Sequence, residues 1–299
     1  QILTVTSDGA ESVELVNTKK GSVIYGNWSS DAKLFTFIAW YGDGSLSLES
    51  VLTDAPEEPR VLLNGGPLFW SWSPARPLLA VHSSHRSQPN AGRVLVLDPY
   101  SGKVVQEVTN SAGYFRTPSW CPEGDLLAYA ERNTDGTQSL RLFNTDEEKS
   151  VPVTVTNGSV AALWSPEGRS LAYASNLHPN EQEFSALCIL DLSSGRTKTV
   201  LEAPMTGFAW AENGDSLVYT TRDRPEGPSV WNYYHLEAKE RVEIAQFAPT
   251  NEQKLHHTFF DQYSTSHALT DVSGTMLTFA GHRVGPNNYN SHEKAMVYV

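Results

Sequence analysis

Two cysteines and three methionines in 299 residues leave little material for thiol chemistry. Cys121 falls in a turn-forming stretch and Cys188 in an alternating apolar run, so they read as two buried thiols rather than a disulfide framework. Basic residues are scarce as well: 22 Lys and Arg stand against 34 Asp and Glu, a formal net charge of −12. That balance argues against a nucleic-acid or anionic-membrane partner, for which a basic face is required. No run is apolar for long enough to span a bilayer, so membrane insertion is not expected. The short signatures of common chemistry are missing too: there is no H-E-x-x-H, no C-x-x-C, no calcium-loop spacing and no G-x-S-x-G elbow.

What the chain has instead is one twelve-residue phrase written six times. The copies read NWSSDAKLFTFI from Asn27, SWSPARPLLAVH from Ser71, SWCPEGDLLAYA from Ser119, LWSPEGRSLAYA from Leu163, AWAENGDSLVYT from Ala209 and LTDVSGTMLTFA from Leu269. Their starts lie 44, 48, 44, 46 and 60 residues apart, the period of a four-stranded propeller blade. Each copy ends one strand at a Trp (Trp28, Trp72, Trp120, Trp164, Trp210), with Thr270 in the last. A turn follows, with Gly124, Gly168, Gly214 and Gly274 placed where a tight hairpin needs positive φ. The second strand then alternates, as in Leu127 and Tyr129 or Leu217 and Tyr219, the pattern of a strand with one face on a core. Third strands such as RVLVLDP (93 to 99) and ALCILDL (186 to 192) lead to turns like DPYSGK and DLSSGR and a more polar fourth strand.

The phrase W-S-P-(D/E)-G-x-x-L-A-(F/Y) and its trailing D-x-x-S-G-(K/R) resemble the repeats of TolB-type six-bladed β-propellers, related to the propellers that precede the catalytic domain of prolyl-oligopeptidase-type peptidases. The likeness covers about residues 21 to 299. The fold expected is all-β: a six-bladed propeller of four-stranded antiparallel blades, in one domain over residues 1–299. Ala32 in copy one, Ala75-Arg76 in copy two and the lost Trp of copy six read as terminal or decayed blades. After MLTFAGH only KAMVYV remains, so the ring is expected to close by an N-terminal strand, ILTVTS or SVELVNT, joining the last blade. Relatives of TolB type are often exported, which implies a periplasmic or extracytoplasmic location and an upstream segment removed before Gln1. Alternatively, the chain is the propeller half of a longer protein.

Function is sought in loops, because the repeat residues are architectural. Loops at 82–92, 131–138, 174–185, 221–229 and 281–294 are expected on one face, and they collect His82, His85, His178, Arg222, His282 and His292. Residues just before each phrase should ring the channel mouth, among them Tyr25, Trp70, Tyr114, Arg116 and His267. Arg116 has the fork to hold a carboxylate or phosphate, or else serves an ion pair with an acidic neighbour. The long gap before copy six, Ala248 to His267, brings in His256, His257, Phe259, Phe260, Asp261, Tyr263 and Ser266. Two readings stay open for it: a longer outer strand of blade five, with HHTFFDQY pairing as β and its phenylalanines in the core, or a ligand-facing lid.

His256, His257, Asp261, His267 and His282 are of the right types for a divalent-metal site, yet no ligand spacing supports one, and no cofactor is expected. Asp261, Ser266 and His267 are close in sequence, which is not triad geometry. The reading adopted is a monomeric, non-catalytic binding propeller. It recognises a protein or peptide segment, or a small ligand, through Tyr25, Trp70, His82, Tyr114, Arg116, Asp261, Tyr263, His267 and His282. The alternative is a propeller hydrolase or lyase that uses His and Asp at the channel mouth, with or without a metal.

Overall fold

The structure, a computed structural model, describes residues 2–5, 8–16, 21–56, 59–85, 88–114, 116–178, 181, 183–222, 227–266, 269–283 and 296–298, with backbone alone at 3, 85, 88–91, 252, 280–283 and 296–298. Strands dominate. A short pair, β1 (Ile2–Val5) and β2 (Ser12–Val16), forms its own two-stranded sheet. Four-stranded antiparallel sheets follow: β3 (Gly21–Trp28), β4 (Leu34–Tyr41), β5 (Leu46–Leu52) and β6 (Arg60–Asn64), then β7 (Leu68–Trp72), β8 (Leu79–His85), β9 (Gln88–Asp98) and β10 (Lys103–Thr109). The third comprises β11 (Ser119–Trp120), β12 (Leu126–Arg132), β13 (Gln138–Asn144) and β14 (Lys149–Thr156). By contacts the chain forms two compact units, Gln1–Glu131 with Phe143–Lys149, and Arg132–Leu142 with Ser150–Val299.

In the second unit the four-stranded blades run on into one another. There β15 (Val160–Trp164), β16 (Ser170–Ser175), β17 (Phe184–Asp191), β18 (Arg196–Trp210), β19 (Ser216–Arg222), β20 (Ser229–His235), β21 (Glu240–Pro249), β22 (Phe279–Arg283) and β23 (Met296–Tyr298) run as one nine-stranded sheet. The cause is β18, fifteen residues with no turn in it: its first part pairs with β17 as an outer strand and its last part, from Met205, pairs with β19 as the inner strand of the next repeat. β21 does the same, pairing with β20 and then, over Phe247–Pro249, with β22.

The phrase does mechanical work at two points. Its Gly residues take φ of 77° (Gly124), 74° (Gly168), 75° (Gly214) and 70° (Gly274), and each donates its N–H to the carbonyl three residues back, at 2.9–3.0 Å. Its Trp residues stitch one repeat to the one before. The Trp120 indole donates to the Ser71 carbonyl at 3.2 Å and the Trp210 indole to the Leu163 carbonyl at 2.9 Å. Trp72 reaches Thr36 Oγ1 at 3.0 Å, and Thr36 in turn donates to the Asn27 carbonyl. These indoles are buried among Leu, Val and Ala from the alternating second and third strands.

The two odd copies in the first unit are not decayed. Ala32 keeps the turn, with φ 55° and its N–H on the Ser29 carbonyl at 2.9 Å. Arg76 gives up the glycine conformation and makes a bidentate contact to Asp146 at 2.6 and 2.8 Å. The N-terminal strands also find a use inside their own unit: Leu15 and Val16 of β2 are buried against Phe37, Ala39 and Val51. Among the described residues β1 and β2 pair with each other, antiparallel.

An alanine held at positive φ is strained, and glycine relieves it while adding backbone entropy to the unfolded chain. We therefore expect Ala32→Gly to raise stability by about 0.5–1 kcal/mol. Urea unfolding checks this, and a loss of stability would show that the turn is not under strain.

Candidate functional site

The irregular stretch after β21 folds into helix, not strand. α1 (Asn251–Thr258) starts at Thr250, whose hydroxyl accepts from the Gln253 N–H at 3.1 Å, and α2 (Phe260–Tyr263) follows directly. The expected β-pairing of HHTFFDQY is thus replaced by two helical turns. The signal for it is in the sequence: Thr250-x-x-Gln253 is a capping box, and Gln253, His257 and Phe260 recur at helical spacing on one buried face.

The two helices are spliced into the sixth repeat. The second strand of that repeat pairs with residues 247–249 at one end, Phe247 opposite Arg283, and with the phrase itself at the other, Thr270 opposite Leu277. The described residues 250–266 lie in the chain between these two partners. Phe260 anchors the insertion, its ring centroid 4.8 Å from that of Phe208 and 6.0 Å from that of Phe184. Gly207 on β18 permits the approach, because a Cβ there would lie 3.0 Å from the His257 carbonyl oxygen and 3.1 Å from the Phe260 ring. The packing half of the sequence reading of this stretch is therefore realised, though by helix.

Between the insertion and strands β18–β20 lies a cavity of about 60 Å³, lined in part by Thr220, Trp231, Gln253, His256, His257 and Tyr263. His257 is 7% exposed, and its ring stands edge-on to Trp231, 5.3 Å between centroids. The Gln253 side-chain amide lies 3.2 Å from His257 Nε2. An amide nitrogen only donates, so Nε2 accepts and the neutral ring carries its proton on Nδ1. Burial holds His257 down to about 4, with the nearby charges of His256 and Arg222 adding to the effect. Half-buried His256 packs on Tyr263 at 4.4 Å. Arg222, at the end of β19, is ion-paired with Glu183.

The remaining candidates fall in several places. In the first unit Tyr25 meets Trp70 edge-on at 5.1 Å, and the Trp70 indole, in a residue 1% exposed, donates to Thr36 Oγ1 at 2.9 Å. His82, also buried, is brought to Arg116, but to its backbone: Nδ1 donates to the Arg116 carbonyl at 2.8 Å. The Arg116 side chain is half-buried, and Tyr114 is exposed. In the second unit Asp261 is buried on α2, Tyr263 is half-buried, and exposed Ser266 donates to the Tyr263 carbonyl at 3.4 Å. His267 lies outside the described residues, as does the side chain of His282, whose backbone pairs with Ala248. Of the expected loops, 82–92 is largely strand, with His85 opposite Gln88. That at 174–185 is organised by Glu181, which accepts from the His178 N–H at 3.1 Å. Among the described residues no three His, Cys, Asp or Glu side chains lie together in a geometry that could hold a metal ion. A wider hollow of about 740 Å³ runs along the exposed Val242 and Ile244 of β21 and Met276, away from these candidates.

A histidine whose folded pKa is depressed adds stability above its unfolded value of 6.5, and that stability drains away as pH falls from 6.5 towards 4. We expect a loss of about 3 kcal/mol across this window from His257. His257→Gln should flatten the curve there, and an unchanged acid slope in the variant would assign the effect to other groups.

No family model matches the chain. Part of it is 25% identical over 148 residues to an uncharacterized peptidase of Bacillus subtilis, a match covering 47% of this chain and 21% of that protein. Among solved structures the chain is similar to an oligogalacturonate lyase in complex with manganese (TM-score 0.64, 14% identity, 99% of this chain and 81% of that one). It is also similar to the oligogalacturonate lyase of Vibrio parahaemolyticus (TM-score 0.60, 12% identity, 99% and 83%) and to TolB from Acinetobacter baumannii (TM-score 0.54, 15% identity, 82% and 59%). No helix among the described residues is long and apolar enough to cross a membrane. With its sheets of antiparallel strands in sequence order, the chain has an all-β fold of the β-propeller kind, shared with TolB-like proteins and with lyases.

Proposed function

We propose that the chain is a single propeller domain of six blades whose task is binding: it recognises a protein or peptide segment, or a small ligand, at the channel mouth and the face above it. The observation that carries this is the insertion at 250–269, which the sixth repeat does not need in order to pair its strands. It presents half-buried His256 and Tyr263 beside a small cavity. The phrase residues, by contrast, are spent on stitching and turns. Tyr114 and Arg116 belong to the same reading as groups of the third repeat, with His82 holding the Arg116 backbone and Tyr25 and Trp70 packed on each other. An extracytoplasmic location and a monomeric state go with it.

A second reading is favoured by the likeness to a manganese-bound lyase over 99% of this chain. In that case His267 and His282, with Asp261, would serve a metal-assisted reaction, and a longer peptidase-like protein is a variant of the same idea. One experiment separates the two. The purified chain is screened against a peptide array and analysed for metal, alongside His256→Ala/Tyr263→Ala, His267→Ala and His282→Ala. The binding reading expects peptides held at least about tenfold more weakly by the double variant, a loss of about 1.4 kcal/mol. Stoichiometric metal that disappears in His267→Ala or His282→Ala would reverse the assignment.

Ring closure by the N-terminal strands is part of the same proposal. Deleting residues 1–18 removes Leu15 and Val16 from the core and should lower stability by roughly 2–4 kcal/mol. Hydrogen exchange then locates the role: closure requires lost protection in β22 and β23 as well as in β3–β5, and loss confined to β3–β5 would leave the hairpin as padding for the first blade alone.

A further inference from the structure

Four repeats share a contact that the sixth lacks among the described residues. The ninth residue of their phrase is apolar and has a third strand opposite it: Phe35 pairs with Val51, Leu79 with Leu97, Leu171 with Leu190 and Leu217 with Tyr234. In the fifth repeat that strand also covers the outer strand before it, since Tyr234 and Leu236 of β20 pack in one cluster with Val200 and Leu201 of β18. In the sixth repeat the ninth residue is Leu277. β23 pairs with β22 at Phe279, Ala280 and Gly281, and no described residue stands opposite Leu277 on the side where β23 lies.

The backbone there is turned towards a partner. Thr278 donates its N–H to the Leu269 carbonyl at 2.9 Å, and Asp271 donates its N–H to the Met276 carbonyl at 3.1 Å. Strand alternation therefore directs the Leu277 N–H and C=O the other way, to the position a third strand takes elsewhere. Beside that edge lies the hollow of about 740 Å³, walled by Tyr233, Val242, Ile244, Met276 and Leu277. Val242 is 52%, Ile244 43% and Met276 52% exposed, whereas Leu201 on the outer strand of the fourth repeat is 5% exposed. Acidic residues prevail along the flanking turns and strand: Glu237, Glu240, Glu243 and Asp271 stand against Lys239 and Arg241, and Arg241 lies over the Tyr219 ring.

We propose that this hollow docks an extended segment of another protein, which adds to the open edge at Leu277 as the missing length of third strand. The segment is apolar at alternate positions, because a residue opposite Leu277 shares its face and is directed towards Val242 and Ile244. Lysine or arginine at its ends meets the acidic surround. Main-chain pairing supplies affinity, and the alternate side chains supply selectivity. The outer edge of β23 stays open to the N-terminal strands, and the site stands whether or not the insertion after β21 binds peptides.

The test uses the full chain, labelled with nitrogen-15 leucine, and the resonance missing from Leu277→Ile identifies the Leu277 amide. The probe is the peptide Lys-Val-Thr-Val-Thr-Lys, acetylated and amidated at its ends. The Leu277 signal is expected to shift saturably with the probe and its hydrogen exchange to slow. Val242→Thr/Ile244→Thr, made at exposed strand positions, should melt with the wild type and bind the probe at least about tenfold more weakly. The isomer Lys-Val-Val-Thr-Thr-Lys has the same composition without the alternation, and it should lose a similar factor. Methylating the backbone nitrogens of the probe should abolish binding. A Leu277 amide that ignores the probe, an isomer or N-methylated peptide that binds as well, or unchanged affinity in the double variant would each overturn the proposal. So would self-association that the double variant abolishes, which assigns the hollow to a second copy. Binding seen only after deletion of residues 1–18 would overturn it too, and would assign the hollow to the chain's own N-terminal strands.

Discussion

The structure depends on the way three phrase tryptophans, Trp72, Trp120 and Trp210, each tie a repeat to the one before. An isolated four-stranded sheet of this length buries one face poorly, and it is the contact between successive sheets that completes the core. Trp120 on the Ser71 carbonyl and Trp210 on the Leu163 carbonyl are the same contact made twice, in different units, between equivalent positions of the phrase. The indole fills the space between sheets and satisfies its one polar group on a backbone oxygen, so burial and hydrogen bonding agree. Thr36 does comparable work in the first repeat, accepting both Trp70 and Trp72 while donating to a strand carbonyl. Where copy six has lost its Trp, Thr270 Oγ1 accepts from the Glu212 N–H at 3.2 Å, a smaller version of the same tie.

That regularity explains where irregular structure is tolerated. Once the second strand of the last repeat is paired at both ends, its middle partner becomes dispensable, and a helical segment can enter without unfolding the sheet. The segment is held by Phe260 in the core and by close approach over Gly207, and its Gln253, His256, His257 and Tyr263 line a small cavity.

The correspondence between sequence and structure is uneven in an instructive way. Repeat boundaries, hairpin glycines and alternating core positions were legible because they are local and repeated six times, so that each copy corroborates the others. The helical insertion was legible only in part. Histidines and aromatics drew attention to it, but the capping box at Thr250 and the helical spacing of Gln253, His257 and Phe260 outweigh the β propensity of its phenylalanines. Trp70 and His82 stood out by type and position, yet burial and the bonds to Thr36 and to the Arg116 carbonyl make them supports for their neighbours.

By itself, the sequence determined an all-β chain of repeated four-strand units, with tryptophan and glycine at the seams, because periodicity of two and turn chemistry are written in neighbouring residues. Only the tertiary structure decided that β18 and β21 run through from one repeat to the next, that Arg76 reaches Asp146, and that Trp231, Gln253 and His257 face one cavity. Those facts depend on residues tens of positions apart meeting in space. Whether a buried N–H finds a partner is a property of that meeting and not of any segment.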